Sequence, residues 1–186
     1  MRKIETADEK KKKEKRRNLI IGFLMSFLLI FSTAGFALYY KSEDKVVSYN
    51  GFKFSQDNGF WSTEAKGKQL KTTFLPQDVE NISVQGFYTL EEFLNKPLYF
   101  YKNTSQGYEA IYEIEMNIPA QRYQEACYLT DCNPELVIKN CSENIIIFYE
   151  SDKDKIEKKE GCIFVYFNNS EVMVVDRLIY KIYGVV

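Results

Sequence analysis

The stretch LIIGFLMSFLLIFSTAGFALYY, residues 19–40, contains no charged side chain. As a helix it would extend about 33 Å, enough to cross a hydrocarbon core of roughly 30 Å. Residues 1–18 before it carry nine Lys or Arg and four Asp or Glu. Basic residues beside a first span favour the cytoplasmic side. The pattern predicts a single-pass transmembrane helix in the cell membrane, with a cytoplasmic tail at 1–18 and residues 41–186 outside.

Residues 19–40 allow two other interpretations. A secretory signal would be cleaved near Gly35, Phe36 and Ala37, but the apolar run is longer than the 7–15 residues usual in signals. A pilin-type leader needs a small residue directly after the basic block and an acid soon after it. Gly22 lies inside the run and no acid follows, so the anchor remains the leading prediction.

The distribution of charge limits the classes of partner that the protein is expected to bind. Residues 41–186 hold sixteen Lys or Arg and twenty-two Asp or Glu, a net charge of −6. This argues against nucleic acid, because phosphate binding needs clustered cations. The predicted partners are the lipid bilayer, which the basic tail would meet first, and another membrane or envelope protein.

Histidine is absent from the sequence. Its absence excludes Ser-His-Asp and Cys-His catalysis and most transition-metal sites. No phosphate loop, dinucleotide fingerprint or nucleophile elbow occurs either. Acidic clusters such as Glu113/Glu115 and Asp152/Asp154, like the couple Asp176-Arg177, are read as solvated or paired charges. We therefore expect no cofactor, no metal and no catalytic residue.

Turn signals at Asn50-Gly51, 57–59 and 66–68 recur about every ten residues, which is typical of an antiparallel meander. Trp61 lies in this region, and a half-buried position between strands is favoured over a carbohydrate-stacking role. Thr89 and Glu92 form a capping-box pattern that opens a short helix.

The sequence patterns in the middle and last thirds of the chain predict both helices and strands. Residues 106–117 favour a helix weakly over a strand, and a second helix is expected over 119–129 because proline suits the first helical turn. Strands are expected over 98–102, 135–140, 144–149 and 162–167, with a charged loop over 152–160. A last helix should begin at Asn169 or Ser170 and end at Gly184. The predicted fold class is α+β: one transmembrane helix, then a single domain with a mostly antiparallel sheet and two to four packed helices.

Four cysteines, Cys127, Cys132, Cys141 and Cys162, all follow the apolar run. An even number outside the cytoplasm indicates two disulfides. Spacing favours Cys127–Cys132 and Cys141–Cys162 over the other two pairings. A four-thiolate zinc site is the alternative, but its ligands usually come in two close pairs.

Glycosylation sequons lie at Asn81, Asn103 and Asn168, all beyond the apolar run. A fourth, at Asn140, would compete with oxidation of Cys141.

The basic tail, the single apolar run, the segments YNGFKF, FWSTE and FLPQDV, the spaced cysteines and the final VDRLIYKIYG resemble small, uncharacterised membrane-anchored proteins of archaea. The resemblance covers most of the chain and implies no activity. The leading functional hypothesis is a disulfide-stabilised binding or accessory domain carried by a membrane anchor. The alternatives are a carboxylate-dependent envelope hydrolase and a pilus- or coat-like surface subunit.

Overall fold

The computed structural model describes residues 7–39, 45–102, 107–129 and 132–186. In the first helix, the surroundings of side chains are described for residues 8–32. The chain divides into two units, Met1–Glu43 and Asp44–Val186.

The described part of the first unit is one helix, α1 (Ala7–Tyr39), in which the charged tail and the apolar run are continuous. Among the described residues, no helix combines the length and the apolar character that a membrane crossing requires. The prediction of a single-pass anchor over residues 19–40 is therefore wrong, together with the cell-membrane localisation and the transmembrane element of the fold class that depended on it.

The finding concerns the part of α1 whose side chains are described, residues 8–32. Its uncharged part with described side chains, residues 19–32, is 14 residues long, which corresponds to about 21 Å of helix. Extending this part to 18 residues towards the N-terminus brings in Lys15, Arg16 and Arg17. The remainder of the predicted span, residues 33–40, lies outside the residues whose side chains are described.

The second unit is an α+β domain. Its strands are β1 (Val46–Tyr49), β2 (Phe52–Asp57), β3 (Phe60–Ala65), β4 (Lys68–Thr72), β5 (Ser83–Gln85), β6 (Pro97–Lys102), β7 (Arg122–Tyr128), β8 (Val137–Lys139), β9 (Ile145–Glu150), β10 (Lys155–Lys159) and β11 (Cys162–Phe167). Its helices are α2 (Pro76–Val79), α3 (Tyr108–Asn117) and α4 (Glu171–Tyr183), with a 3-10 turn at Leu90–Glu92.

The first four strands form an antiparallel sheet in the order β1-β2-β3-β4. The turns between them contain Asn50, Asn58 and Lys66, each with a positive φ and each followed by glycine. This local chemistry sets the hairpins, as the sequence predicted. Trp61 is partly buried and packs against the main core, in line with the structural role expected for it.

The larger sheet contradicts the prediction of a mostly antiparallel sheet. Its seven strands run in the order β5-β10-β11-β9-β6-β7-β8, and only the β10–β11 pair is antiparallel. A tight turn at Glu160-Gly161 joins β10 and β11, whereas the parallel neighbours are joined by longer connections. α3 connects the parallel neighbours β6 and β7, and parallel neighbours need a crossover of this kind.

Two segment predictions were wrong. Residues 119–129 form strand β7 rather than a helix, because Pro119 disfavours helical backbone at Ile118, whose φ of −103° and ψ of 112° end α3. Residues 152–160, predicted as a loop, contain β10, which pairs with strands on both sides. A single apolar residue, Ile156, gives that strand too weak a period to recognise.

The main core joins both sheets to α3 and α4. α4 begins and ends as predicted, with the Ser170 hydroxyl accepting from Met173 N and Gly184 in the left-handed conformation. Tyr180 on this helix is fully buried. Its hydroxyl donates to the Phe74 carbonyl at 2.6 Å and meets the Thr72 hydroxyl at 2.6 Å, which fixes α4 to the segment after β4.

Replacing Tyr180 by phenylalanine should lower the free energy of unfolding by about 1–3 kcal/mol, because buried partners are left without their hydrogen bond. Urea denaturation followed by circular dichroism measures the change. Tyr166→Phe is the matched control, since Tyr166 is only partly buried, and it should change stability by less than about 0.5 kcal/mol. Equal losses in the two variants would contradict the bridging role of Tyr180.

Candidate ligand-binding surfaces

One face of the large sheet carries a continuous group of aromatic side chains, which we call the aromatic face. Its residues alternate along four neighbouring strands: Tyr128 on β7, Tyr99 and Tyr101 on β6, Tyr149 on β9, and Phe164 and Tyr166 on β11. The rings contact one another across strands, with centroids 5.9 Å apart for Tyr149–Tyr166 and 6.0 Å for Tyr128–Phe164.

Within Asp44–Val186, the described residues place no helix on the aromatic face. α3 and α4 belong to the main core on the opposite side, whereas the cluster on this side contains only strand residues and Cys141. Sheets built mainly from parallel strands are almost always covered on both faces. An uncovered face rich in half-buried tyrosine is therefore a candidate binding surface.

Cations border the aromatic face on both sides. On one side, Lys155 Nζ lies 4.4 Å from the centroid of the Tyr166 ring and Lys159 Nζ lies 5.5 Å from that of Phe164. On the other side, Lys139 Nζ lies 4.4 Å from the Tyr99 centroid, and the Arg122 guanidinium donates to the Tyr99 hydroxyl at 2.9 Å.

The pKa of Tyr99 is lowered chiefly by the hydrogen bond from Arg122, and further by Lys139. Among the described strand residues that point to this face, Glu157 is the one acid, and it pairs with Lys155 at 2.9 Å. Lys139 pairs with Glu143 at 2.6 Å, so four cations and two acids border the aromatic face. The face is thus locally basic by a small excess, although residues 41–186 carry a net charge of −6.

Both disulfides lie at this sheet, in the pairing that the spacing favoured. Cys127–Cys132 closes the end of β7, with 5.5 Å between the Cα atoms. Cys141–Cys162 ties the start of β11 to the segment before β9, with 4.7 Å between the Cα atoms. These links restrain the strands that carry the aromatic rings.

A second feature is a cavity of about 480 Å³ in the same unit. Four aromatic side chains line it, from the start of β3, the segment after β4 and the first turns of α3: Phe60, Phe74, Tyr108 and Tyr112. Thr73, Glu109, Glu113, Ser170 and Val172 complete the lining. Tyr108/Tyr112 and Glu109/Glu113 share one side of α3 because residues four apart are neighbours on a helix.

Beneath the cavity, Glu113 forms a buried pair with Asp176 of α4; the two side chains are 2% and 0% exposed. Thr73 donates to Glu113 Oε1, and Phe74 N donates to Asp176 Oδ2 at 2.8 Å. The other oxygen of each carboxyl has no donor from a protein group in the described residues. Burial and the neighbouring Glu113 carboxyl both favour the protonated form of Asp176.

Burial is the main cause of a raised pKa at Asp176, and the hydrogen bond and charge of Glu113 raise it further. Two donors, Phe74 N and the backbone at Thr73, oppose the shift. Burial and a like charge both disfavour an ionised carboxyl, so Asp176 is the protonated partner over a wider pH range than an exposed aspartate.

The predicted site residues fall in separate places. Asn81, Asn140 and Asn168 are exposed, and Asn103 lies outside the described residues. Glycosylation at these positions stays a prediction. In the described part of the chain, no group of three or more Asp, Glu or Cys side chains is placed to hold a metal ion.

Sequence reasoning missed both the aromatic face and the acid pair. The face requires the parallel registers of β6, β7, β9 and β11, which no local signal specifies. Asp176 did leave a signal, because it is a single acid within the apolar stripe of α4, four residues after Val172 and three before Ile179. A charge at such a position needs a buried partner.

No known protein family, curated protein or solved structure matches this chain.

The acid pair predicts a falling stability with rising pH. Because the folded pKa of Asp176 lies above its ordinary value of 3.8, the folded state binds this proton more tightly than the unfolded chain does. The stabilisation is present at low pH and is lost as the pH rises from about 4 through the raised pKa, by at most about 1.4 kcal/mol per pH unit. Urea denaturation at a series of pH values measures it.

Asp176→Asn should flatten this dependence, because the amide keeps an oxygen for Phe74 N and donates to Glu113 without titrating. Glu109→Gln, which removes an exposed acid from the same helix, serves as the control and should leave the slope in place. Parallel pH profiles for the wild type and Asp176→Asn would show that the pair does not store a proton.

Proposed function

We propose that Asp44–Val186 is a disulfide-stabilised binding domain whose ligand is an acidic polysaccharide. The observation that carries the proposal is the aromatic face itself, with cations on both sides. Its four half-buried rings are Tyr101, Tyr128, Tyr149 and Tyr166, and they surround the buried rings of Tyr99 and Phe164. Flat apolar ring surfaces suit the faces of sugar rings. Lysine and arginine suit the carboxylate or sulfate groups of an acidic glycan.

The geometry of the sheet favours an extended ligand. Neighbouring strands lie about 4.8 Å apart, so a chain that crosses β7, β6, β9 and β11 would meet a ring on each strand. Arg122 and Lys139 stand at one end of this path, and Lys155 and Lys159 stand at the other. A polymer with repeated negative charges would contact cations at both ends.

Charge supports an anionic ligand over a neutral one. The domain is acidic as a whole, so a polyanion is repelled from most of its surface and is attracted to the basic borders of the aromatic face. Such asymmetry orients a ligand and sets its specificity more than it adds affinity. The rings would supply most of the apolar contact.

The remaining functional hypotheses stay predictions without a supporting observation. A carboxylate-dependent glycosidase needs two acids across the scissile bond from each other. The two acids that line the described cavity, Glu109 and Glu113, come from the same side of α3. Nothing in the described residues favours a filament or coat subunit.

Binding of the purified full chain to polygalacturonate tests the proposal by surface plasmon resonance or calorimetry. We expect binding that weakens as salt rises from 50 to 500 mM, because salt screens exposed charges, and no binding to the neutral polymer dextran. The double variant Lys155→Gln/Lys159→Gln should bind roughly tenfold more weakly, a loss of about 1.4 kcal/mol. Tyr149→Leu should also weaken binding.

The matched control is Lys45→Gln/Lys53→Gln, which removes two exposed lysines at the small sheet and should leave the affinity within about twofold. Single-stranded DNA is the competing polyanion, because bases also stack on aromatic rings. Tighter binding of DNA than of polygalacturonate would assign the surface to nucleic acid. Equal affinities of wild type and both double variants would overturn the role of the aromatic face.

A further inference from the structure

We infer that the cavity bounded by Tyr108, Tyr112, Phe60 and Phe74 is a binding site for a small organic ammonium cation. The inference is independent of the polysaccharide proposal, because it concerns a different surface: β3, the segment after β4, and the first turns of α3 and α4. The class of ligand follows from the shape, the rings and the charges of the cavity.

The cavity is lined by aromatic rings from three different elements. Phe60 and Phe74 come from the small-sheet side, and Tyr108 and Tyr112 come from α3. Aromatic ring faces carry partial negative charge and attract ammonium groups, an effect that is strongest where water is excluded. The protein already uses one of these rings in this way, because the ammonium of Lys102 lies over Tyr108.

The Tyr112 ring is 57% exposed. Its hydroxyl has no hydrogen-bond partner in the described residues. An exposed ring at the mouth of a cavity leaves apolar surface in contact with water, and a bound ligand would cover that surface. The cavity volume of about 480 Å³ lies within the 300–1,000 Å³ typical of small-molecule sites. A quaternary or alkylated ammonium of modest size therefore fits.

The charges that face the cavity favour a cation. Glu109 and Glu113 line it directly, and Asp176 lies beside Glu113. Glu113 is 2% exposed and one of its oxygens accepts no hydrogen bond from a protein donor. An ammonium ligand next to this oxygen would supply the positive charge that the buried acid pair otherwise lacks.

Two kinds of positive charge near the cavity oppose the binding of a cation. The N-termini of α3 and α4 point towards this region, and each helix end is equivalent to about half a positive charge. Glu171 already compensates one of them, since its Oε1 accepts from Gly107 N at 3.0 Å. The Lys102 ammonium lies over the Tyr108 ring and 3.5 Å from Glu125, with no hydrogen bond from it in the described residues. Glu109, the Glu113–Asp176 pair, Glu171 and Glu125 together bring more negative charge to this region than Lys102 and the two helix ends bring positive charge.

The test compares choline with 3,3-dimethyl-1-butanol, its uncharged carbon analogue, by calorimetry or by NMR titration of the full chain. The two molecules share size and shape, so the difference between them isolates the charge. We expect choline to bind at least tenfold more tightly. Tetramethylammonium should compete with choline, whereas acetate should not.

Three variants place the site. Glu113→Gln removes a buried charge and should weaken choline binding at least tenfold, while Tyr112→Leu removes an exposed ring and should weaken it several-fold. Glu115→Gln is the matched control, because Glu115 is an exposed acid on the same helix that does not line the cavity. Its affinity should equal that of the wild type. Circular dichroism checks that each variant is folded.

Several results would overturn the inference. Equal affinity for choline and its uncharged analogue would show an apolar pocket rather than a cation site. Binding that is unchanged in folded Tyr112→Leu would place the ligand elsewhere, even if Glu113→Gln failed to fold. Absence of choline binding at millimolar concentration, with no chemical-shift change for residues that line the cavity, would show that the cavity does not take this class of ligand.

Discussion

The burial of α4 between two unlike sheets is the constraint on which the rest of this domain depends. Nine of its thirteen residues are buried, so the helix has almost no solvated face and must be covered from two sides. The antiparallel meander provides one cover and the mixed sheet provides the other. Tyr180 fixes the orientation of α4 in this packing, because its hydroxyl forms hydrogen bonds with Thr72 and Phe74, where the chain leaves β4. The position of that segment in turn places Thr73 and Phe74 against the acid pair and the cavity.

The same packing explains why the two faces of the large sheet differ. The face towards α4 is a closed core of Ile, Val and Phe, whereas the aromatic face depends on rings that cover one another. Tyrosine suits this position because its ring buries apolar area while its hydroxyl stays at the water boundary. Lysine side chains extend their aliphatic stems over such rings and keep their charge in solvent. In the described part of Asp44–Val186, one face of this mostly parallel sheet is therefore formed without a covering helix.

How far the sequence could predict this structure depended on whether the signal was local. The hairpins at Asn50, Asn58 and Lys66, the capped helix from Ser170 to Gly184 and the strand at Cys162–Phe167 follow from turn chemistry and periodicity. The parallel registers do not, since they are set by contacts between distant segments. Residues 152–160 illustrate the limit, because β10 becomes a strand through its neighbours rather than through its own charged sequence. The apolar run at 19–40 shows the opposite error, since a strong local signal predicted a membrane anchor and no helix among the described residues has the length and apolar character of one.

The two edge strands of the large sheet determine whether strands of other molecules can add to it. Its outermost strands, β5 and β8, are each only three residues long, and β8 ends in a charged residue, Lys139. Short, charged borders offer few free backbone groups to an incoming strand, and natural sheets use them to resist strand addition by other molecules. This large sheet is therefore poorly suited to grow by recruiting strands from neighbouring molecules, and a continuous intermolecular sheet through this part of the domain is disfavoured.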